Sequence, residues 1–190
     1  MVEFLNPLPR EIEYGQKMGA ISSIKIVSKI QEGVDIEASR LQRDLLEILG
    51  IESNINKGDG FPLSLEIKDG FRSEAYFLTM KKDGIKIISS DLKGLFYGGQ
   101  TLLQLLTASR LREVEINDGP VYSIREVMLD MGRGTYSLVL LKRIVRIMAR
   151  LKLNSLHLHL YDDHLNSLRF QNLPLGKENP WALSIGGLSE

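Results

Sequence analysis

Apolar positions along this chain recur with two periods, and the switches between them mark the elements. Residues 24–28 (IKIVS) are an apolar, β-branched run of strand length. From Asp35 to Leu49, the apolar positions Ala38, Leu41, Leu45, Ile48 and Leu49 repeat at helical spacing, and Gly50 is a natural stop. Leu63, Leu65 and Ile67 then alternate with polar residues, as on a half-buried strand. AYFLTMKK (75–82) and IKIIS (85–89) are two further strands, and Asp83-Gly84 between them is a hairpin signal. Asp91 is placed to cap a helix running to Ala108, with Leu92, Leu95, Phe96, Leu102, Leu103 and Leu106 as its apolar surface. Gly94, Gly98 and Gly99 lower helix propensity there, which predicts close packing against a sheet. Residues 1–118 therefore read as a small α+β domain, one sheet with helices on one face. Asn117-Asp118-Gly119-Pro120 reads as the turn that ends it.

The pattern changes over residues 119–190. SIREVMLD (123–130) is strand-like. Ser137 then caps a helix carrying Leu141, Ile144, Val145, Met148 and Leu151 on one face, with Lys142, Arg143, Arg146 and Arg150 mostly on the other. Residues 154–160 form a second strand. Strand, helix and strand with short joins is the unit of a parallel α/β fold. Two parallel strands do not make a domain, because such strands need neighbours on both sides and cover on both faces. Val127, Leu129, Leu156, Leu158 and Leu160 would line a bare apolar edge. The expectation is the opening of a larger α/β domain, cut after its first unit. The alternative is a compact terminal subdomain packed on the first sheet.

Composition narrows the function classes. The 190 residues carry 24 basic and 24 acidic side chains, a formal net charge of zero, so nothing global points to nucleic acid or to an anionic membrane. No cysteine is present, which removes disulfide and thiolate chemistry. The start, MVEFLNPLPREIEY, has acids and prolines where a signal peptide has a basic start and an apolar run. No apolar run approaches the roughly 20 residues of a membrane span. These features predict a cytoplasmic protein.

The chemistry-bearing residues gather late. LHLHLYDDH (156–164) holds all three histidines next to Asp162 and Asp163. On a strand, His157 and His159 point to one side and the leucines to the other. The aspartates follow the strand's C-terminal end, the rim where α/β folds and barrels place chemistry. Three readings stand open. His157, His159 and Asp162 could bind zinc. The imidazoles could fill a polar core layer. Or Asp162 could orient a histidine that tunes a catalytic acid. Arg133, just past the first barrel-like strand, offers a forked donor suited to a polyol or an anion; a surface ion pair is its plainer role. No nucleophile elbow, phosphate loop or dinucleotide fingerprint occurs.

IREVMLDMGRGTYSLVLLKRIVRIMARLKLNSLHLHLYDD (124–163) resembles the opening of the catalytic barrel of family 20 glycoside hydrolases, the β-N-acetylhexosaminidases. Their pattern is Arg-Gly-x-x-Leu-Asp-x-x-Arg-His, a helix, then Lys-x-Asn-x-x-His-x-His-x-x-Asp-Asp. Arg125, Leu129, Asp130, Arg133, Lys152, Asn154, His157, His159, Asp162 and Asp163 fill those places. EAYFLTMKKDGIKIISSDLKGLFYGGQTLLQLL (74–106) resembles the α+β domain that precedes this barrel, and INDGPVYSIRE its usual junction. The implied fold is that α+β domain (1–118) followed by the first βαβ portion of a TIM barrel (119–190).

The resemblance implies release of terminal N-acetylhexosamine from β-linked glycans with retention, the substrate's acetamido group acting as nucleophile. A later Asp-Glu pair would complete the chemistry. Arg133 would grip the sugar hydroxyls. Asp162 would orient a later histidine, and His159 would support the pocket. Arg125 and Asp130 would be inner structural residues of the first strand. No cofactor or metal is implied. The glycan would be the partner, and the unpaired barrel edge is a surface for self-association. Glu126 stands where glycine is usual, Gly134 where histidine is usual, and Tyr161 where a small residue is common. No Gln-Gly-Trp-Arg follows Asp163. These departures mark a divergent branch, and the Asp-Glu pair is expected beyond the chain. Other expectations are a non-catalytic carbohydrate- or protein-binding module and, less favoured, a metal-dependent hydrolase.

Overall fold

In the computed structural model, residues 5–28, 33–108, 111–131 and 136–159 are described, with the backbone of 168–169 and 183–184. The chain divides into two compact units, Met1–Val121 and Tyr122–Glu190.

In the first unit the elements are β1 (Glu11–Lys17), β2 (Ser23–Ser28), α1 (Val34–Leu49), β3 (Glu52–Ile55), β4 (Phe61–Ile67), β5 (Tyr76–Lys81), β6 (Gly84–Ser89), α2 (Leu92–Leu106) and β7 (Arg112–Asp118). The strands make one seven-stranded sheet in the order β1-β7-β5-β6-β4-β2-β3. The β1, β7, β5 and β6 contacts are antiparallel; β6-β4, β4-β2 and β2-β3 are parallel. The predicted hairpin closes at Lys81 and Gly84.

Register explains the core. Ile26, Leu63, Ile85 and Met80 are linked pair by pair across the sheet, as are Leu65, Ile87, Leu78 and Ile116. Laterally paired residues share a face, and these are buried with Ala38, Leu41 and Leu45 of α1 and Leu95, Leu102 and Leu105 of α2. Gly50 ends α1 in the left-handed conformation, φ 66°, where its N–H reaches the last carbonyls. Asp91 caps α2 as predicted, accepting from the backbone N–H of Gly94 at 2.7 Å and Glu74 at 3.0 Å and from the Ser73 hydroxyl at 2.7 Å. Burial pushes its pKa up, but these donors outweigh it and hold the carboxyl below its ordinary value.

One polar group crosses the core. The Tyr76 hydroxyl donates to Asp118 at 2.8 Å and lies 2.6 Å from the Thr101 hydroxyl. Burial, with the Asp118 charge beside it, pushes the phenol well above its ordinary pKa. Tyr76→Phe leaves a carboxylate at the core edge short of a donor and is expected to cost about 2 kcal/mol, read as a lower urea midpoint.

The opposite sheet face carries an ion-paired carboxylate in line with apolar Ile88 and Phe77. Glu66 accepts from Ser64 at 2.9 Å and pairs with Lys68 at 2.6 Å and Lys86 at 3.7 Å. The Lys68 contact, joined by Ser64 and Lys86, overrides burial and holds this carboxyl at about 2, below its ordinary 4.5. A lowered folded pKa gives stability that is complete above the unfolded value and lost as pH falls through the folded one. Unfolding midpoints should therefore fall between about pH 4.5 and 2, and Glu66→Gln should flatten that part of the profile.

The second unit holds β8 (Glu126–Asp130), α3 (Leu138–Arg150) and β9 (Ser155–His159), with a two-residue parallel pair, β10 (Leu168–Arg169) and β11 (Leu183–Ser184). β8 and β9 are parallel, as the strand–helix–strand pattern predicts. Ser137 caps α3, accepting from the Leu140 N–H at 3.2 Å. Leu141, Ile144, Met148 and Leu151 form its protected stripe, while Val145 of the predicted face stays exposed. Among the described residues no helix is long and apolar enough to cross a membrane.

Candidate functional site

The β8-β9 register opposes Glu126 to Ser155, Met128 to His157 and Asp130 to His159. Alternation therefore gathers Glu126, Met128, Asp130, Ser155, His157 and His159 on one face, and Val127, Leu129, Leu156 and Leu158 on the other. The polar face carries two carboxylate–imidazole rungs. At the strand starts, Glu126 accepts from the Ser155 hydroxyl at 2.8 Å and lies 3.3 Å from His157 Nδ1. At the strand ends, Asp130 Oδ2 stands 3.9 Å from His159 Nδ1, an ion-pair separation longer than a hydrogen bond. The Met131 N–H donates to the His159 carbonyl at 2.9 Å and carries the strand pairing one residue further.

Below the rungs, Arg125, Lys152 and Asn154 form a clamp. The Arg125 guanidinium donates to the Lys152 carbonyl and to the Tyr122 carbonyl, each at 2.7 Å. Asn154 accepts from the Arg125 N–H at 2.9 Å and donates to the Ser123 carbonyl at 2.8 Å. Lys152 turns the chain into β9 at φ 57°. These three motif positions tie the entry of β8 to the entry of β9 through backbone groups. This places Arg125 in a structural role. Asp130 sits at the other end of the strand, against an imidazole.

His159 is thus brought to the strand end as the sequence predicts. Arg133, Asp162, Asp163 and His164 lie outside the described residues, so the structure does not place them. The sequence motif does not disclose the Glu126 carboxylate against His157. The available signal was strand parity, since Glu126 and Asp130 share a face with the paired histidines. Among the described residues, no three His, Asp or Glu side chains gather where a metal ion could be held.

The model of "Glycosyl hydrolase family 20, domain 2" matches residues 4–119. The chain belongs to glycosyl hydrolase family 20. The model of that family's catalytic domain matches residues 122–180, so this family 20 chain joins the N-terminal domain to the start of the barrel. A β-hexosaminidase of Vibrio vulnificus is 32% identical over 174 residues, covering 88% of this chain and 20% of the relative. An N,N'-diacetylchitobiase of Vibrio harveyi is 30% identical over 179 residues, with shares of 90% and 20%. The chain therefore spans about a fifth of the length of these curated relatives. Among solved structures, a Vibrio harveyi family 20 exo-β-N-acetylglucosaminidase in complex with N-acetylglucosamine matches at TM-score 0.76 and 26% identity, over 90% of this chain and 27% of that one. The Streptomyces coelicolor β-N-acetylhexosaminidase matches at TM-score 0.72 and 26% identity, over 90% and 37%. The α+β domain and the barrel opening are the family 20 architecture.

Proposed function

We propose that these 190 residues are part of a retaining β-N-acetylhexosaminidase that removes terminal N-acetylhexosamine from β-linked glycans. The observation that carries this reading is the parallel β8-β9 pair inside a family 20 catalytic-domain match, with its polar face ending at Asp130 and His159. Arg133 follows Met131 by two positions and Asp162 follows His159 by three, so both belong to the segments that leave these strand ends. In barrels that rim carries the chemistry.

The chemistry divides by residue type. Arg133 presents a planar fork of donors, which suits two neighbouring sugar hydroxyls. Asp162 orients a histidine that this sequence does not supply, and that histidine acts on the general acid. His159 supports the pocket wall. The acetamido carbonyl of the substrate attacks the anomeric carbon as the leaving oxygen is protonated, and water later opens the resulting oxazolinium ring. An Asp that holds the acetamido group and a neighbouring Glu that is acid and then base are needed. No adjacent Asp-Glu occurs in this sequence, so the pair belongs to other barrel strands.

Substrate assistance is tested by removing the assisting group. The full-length gene product should release nitrophenol from the β-N-acetylglucosaminide and lose most of that rate on the β-glucoside, which has a hydroxyl in place of the acetamido group. Equal rates on the two would reject the acetamido nucleophile.

A further inference from the structure

On the sheet face away from α1 and α2, register builds an aromatic and acidic surface. Glu11 of β1 lies opposite Asn117 of β7, Asn117 lies opposite Phe77 of β5, and Glu13 lies opposite Glu115. Phe71 joins them from the connection between β4 and β5. Its backbone is pinned there, because its N–H donates to the Ser90 hydroxyl at 2.8 Å and that hydroxyl donates to the Lys68 carbonyl at 3.0 Å. These six residues line an open cavity of about 360 Å³. Small-ligand sites span roughly 300–1,000 Å³, apolar or aromatic walls with a few polar groups. Phe71 and Phe77 are half-buried, so each keeps part of its surface in water. At the rim, Asn117 Nδ2 donates to Glu11 Oε2 at 2.9 Å, which holds both side chains in place. No lysine or arginine lines the cavity. Lys81 pairs with Glu115 at 3.6 Å, and among the described residues Glu11 and Glu13 make no ion pair. Glu13 and Glu115 face each other across the strands, and like charges directly opposite destabilise a sheet. A cation held in the cavity would offset that repulsion.

We propose that this cavity is a binding site for a glycan that carries free amines, such as a glucosamine oligomer. The choice of a glycan rests on the hexosaminidase reading above. A sugar ring offers C–H groups on its faces and hydroxyls around its edge. The phenyl rings of Phe71 and Phe77 take the faces, and Glu11, Glu13, Glu115 and Asn117 accept from the edge. A protonated amine is drawn to both kinds of wall, to the carboxylates by charge and to the phenyl rings by their quadrupole. The same carboxylates repel an acidic glycan and leave a neutral one with hydrogen bonds and stacking alone. An extended basic peptide fits less well. Peptides that bind sheets add to a strand edge through main-chain hydrogen bonds, whereas this cavity lies on the sheet face, and β7 is already paired on both sides.

The test is calorimetric titration of the full-length gene product with a glucosamine hexamer, with excess N-acetylglucosamine present to occupy the barrel site. A β-linked glucose hexamer and hexalysine are the comparison ligands. The glucosamine hexamer should bind, more weakly as salt is raised, and both comparison ligands should bind less tightly. Phe71→Ala, in a connection and outside the strands, should weaken binding roughly three- to thirtyfold. Glu13→Gln should weaken it roughly two- to fivefold and reduce the salt dependence. Both variants should keep wild-type turnover of nitrophenyl β-N-acetylglucosaminide. No binding by the wild type overturns the site, as when the rest of the chain covers this face. Equal affinity for the glucose hexamer overturns the role of the amines, tighter binding of hexalysine makes the surface a peptide site, and unchanged affinity in Phe71→Ala places the ligand elsewhere. Turnover without hexamer binding rejects this site alone. Hexamer binding without turnover rejects the hexosaminidase reading and supports the site.

Discussion

Gly94→Ala is expected to destabilise the N-terminal unit by about 3 kcal/mol or more. A Cβ at this position would lie 2.0 Å from Ser89 Oγ and 2.3 Å from the Ala75 carbonyl oxygen. Real side-chain carbons do not approach so closely, and neither neighbour is free to retreat. Ser89 Oγ donates to that same Ala75 carbonyl at 2.7 Å, and both belong to the β5-β6 region under the helix. Relief requires the first turn of α2 to lift from the sheet. That would loosen the Asp91 cap, whose carboxylate accepts from the Gly94 N–H itself. Gly98 repeats the constraint one turn on, where a Cβ would meet Ile87 Cγ2 at 2.5 Å. Gly19 is the control: nothing lies within 4 Å of a Cβ there, and Gly19→Ala should move stability by no more than about 0.5 kcal/mol. Urea unfolding of the three proteins checks this. A Gly94→Ala midpoint equal to that of Gly19→Ala would show that α2 does not need its close approach.

Arg133→Ala in the full-length gene product should lower kcat/KM by roughly 100- to 1,000-fold. The estimate takes two charge-assisted hydrogen bonds to sugar hydroxyls at about 1.5–3 kcal/mol each, not fully additive. Arg133→Lys should recover little, because an ammonium is a point donor and cannot span two neighbouring hydroxyls as a planar fork does. Steady-state kinetics on the nitrophenyl substrate measure both. Full activity in Arg133→Lys would assign the position to charge alone, and full activity in Arg133→Ala would remove it from the sugar site.

Much of this fold is legible in the sequence, because its central elements follow a single period. The helices α1, α2 and α3 and the strands β2, β4, β5, β6, β8 and β9 each carry an apolar repeat of the right spacing, with caps at Asp91 and Ser137. In the first unit the strands that pattern does not reveal are β1, β3 and β7; in the second, β10 and β11 fall in a stretch that reads mostly as loop. β1 and β3 are the sheet edges, where EIEYGQK and ESNI bury little. β7 buries Val114 and Ile116 but spaces them with charged and amide side chains facing outward, so REVEIND reads as a polar connection. Pairing partners supply what composition hides: β7 lies between β1 and β5, and Tyr76 reaches Asp118 at its end.

The site was legible to a different degree. Strand parity alone sets His157 and His159 on one side, and the structure agrees. Which carboxylate faces which imidazole depends on register between two strands about thirty residues apart, and no local pattern encodes that. In the sequence Glu126 is therefore only a departure from glycine; the register sets Ser155 opposite it. The Arg125, Lys152 and Asn154 positions were visible as a motif, but their shared work on backbone carbonyls emerges only once the turns at both strand entries are in place.

The most direct test of the central claim is nitrophenol release from a β-N-acetylglucosaminide by the purified 190-residue chain, shown to be folded by circular dichroism, beside the full-length gene product. If Arg133 grips the sugar and the Asp-Glu pair is supplied from elsewhere, as proposed, the 190 residues should show no turnover alone, while the full-length product turns over. Turnover by the 190 residues, abolished by Asp162→Ala, would contradict this and place the general acid within the segment.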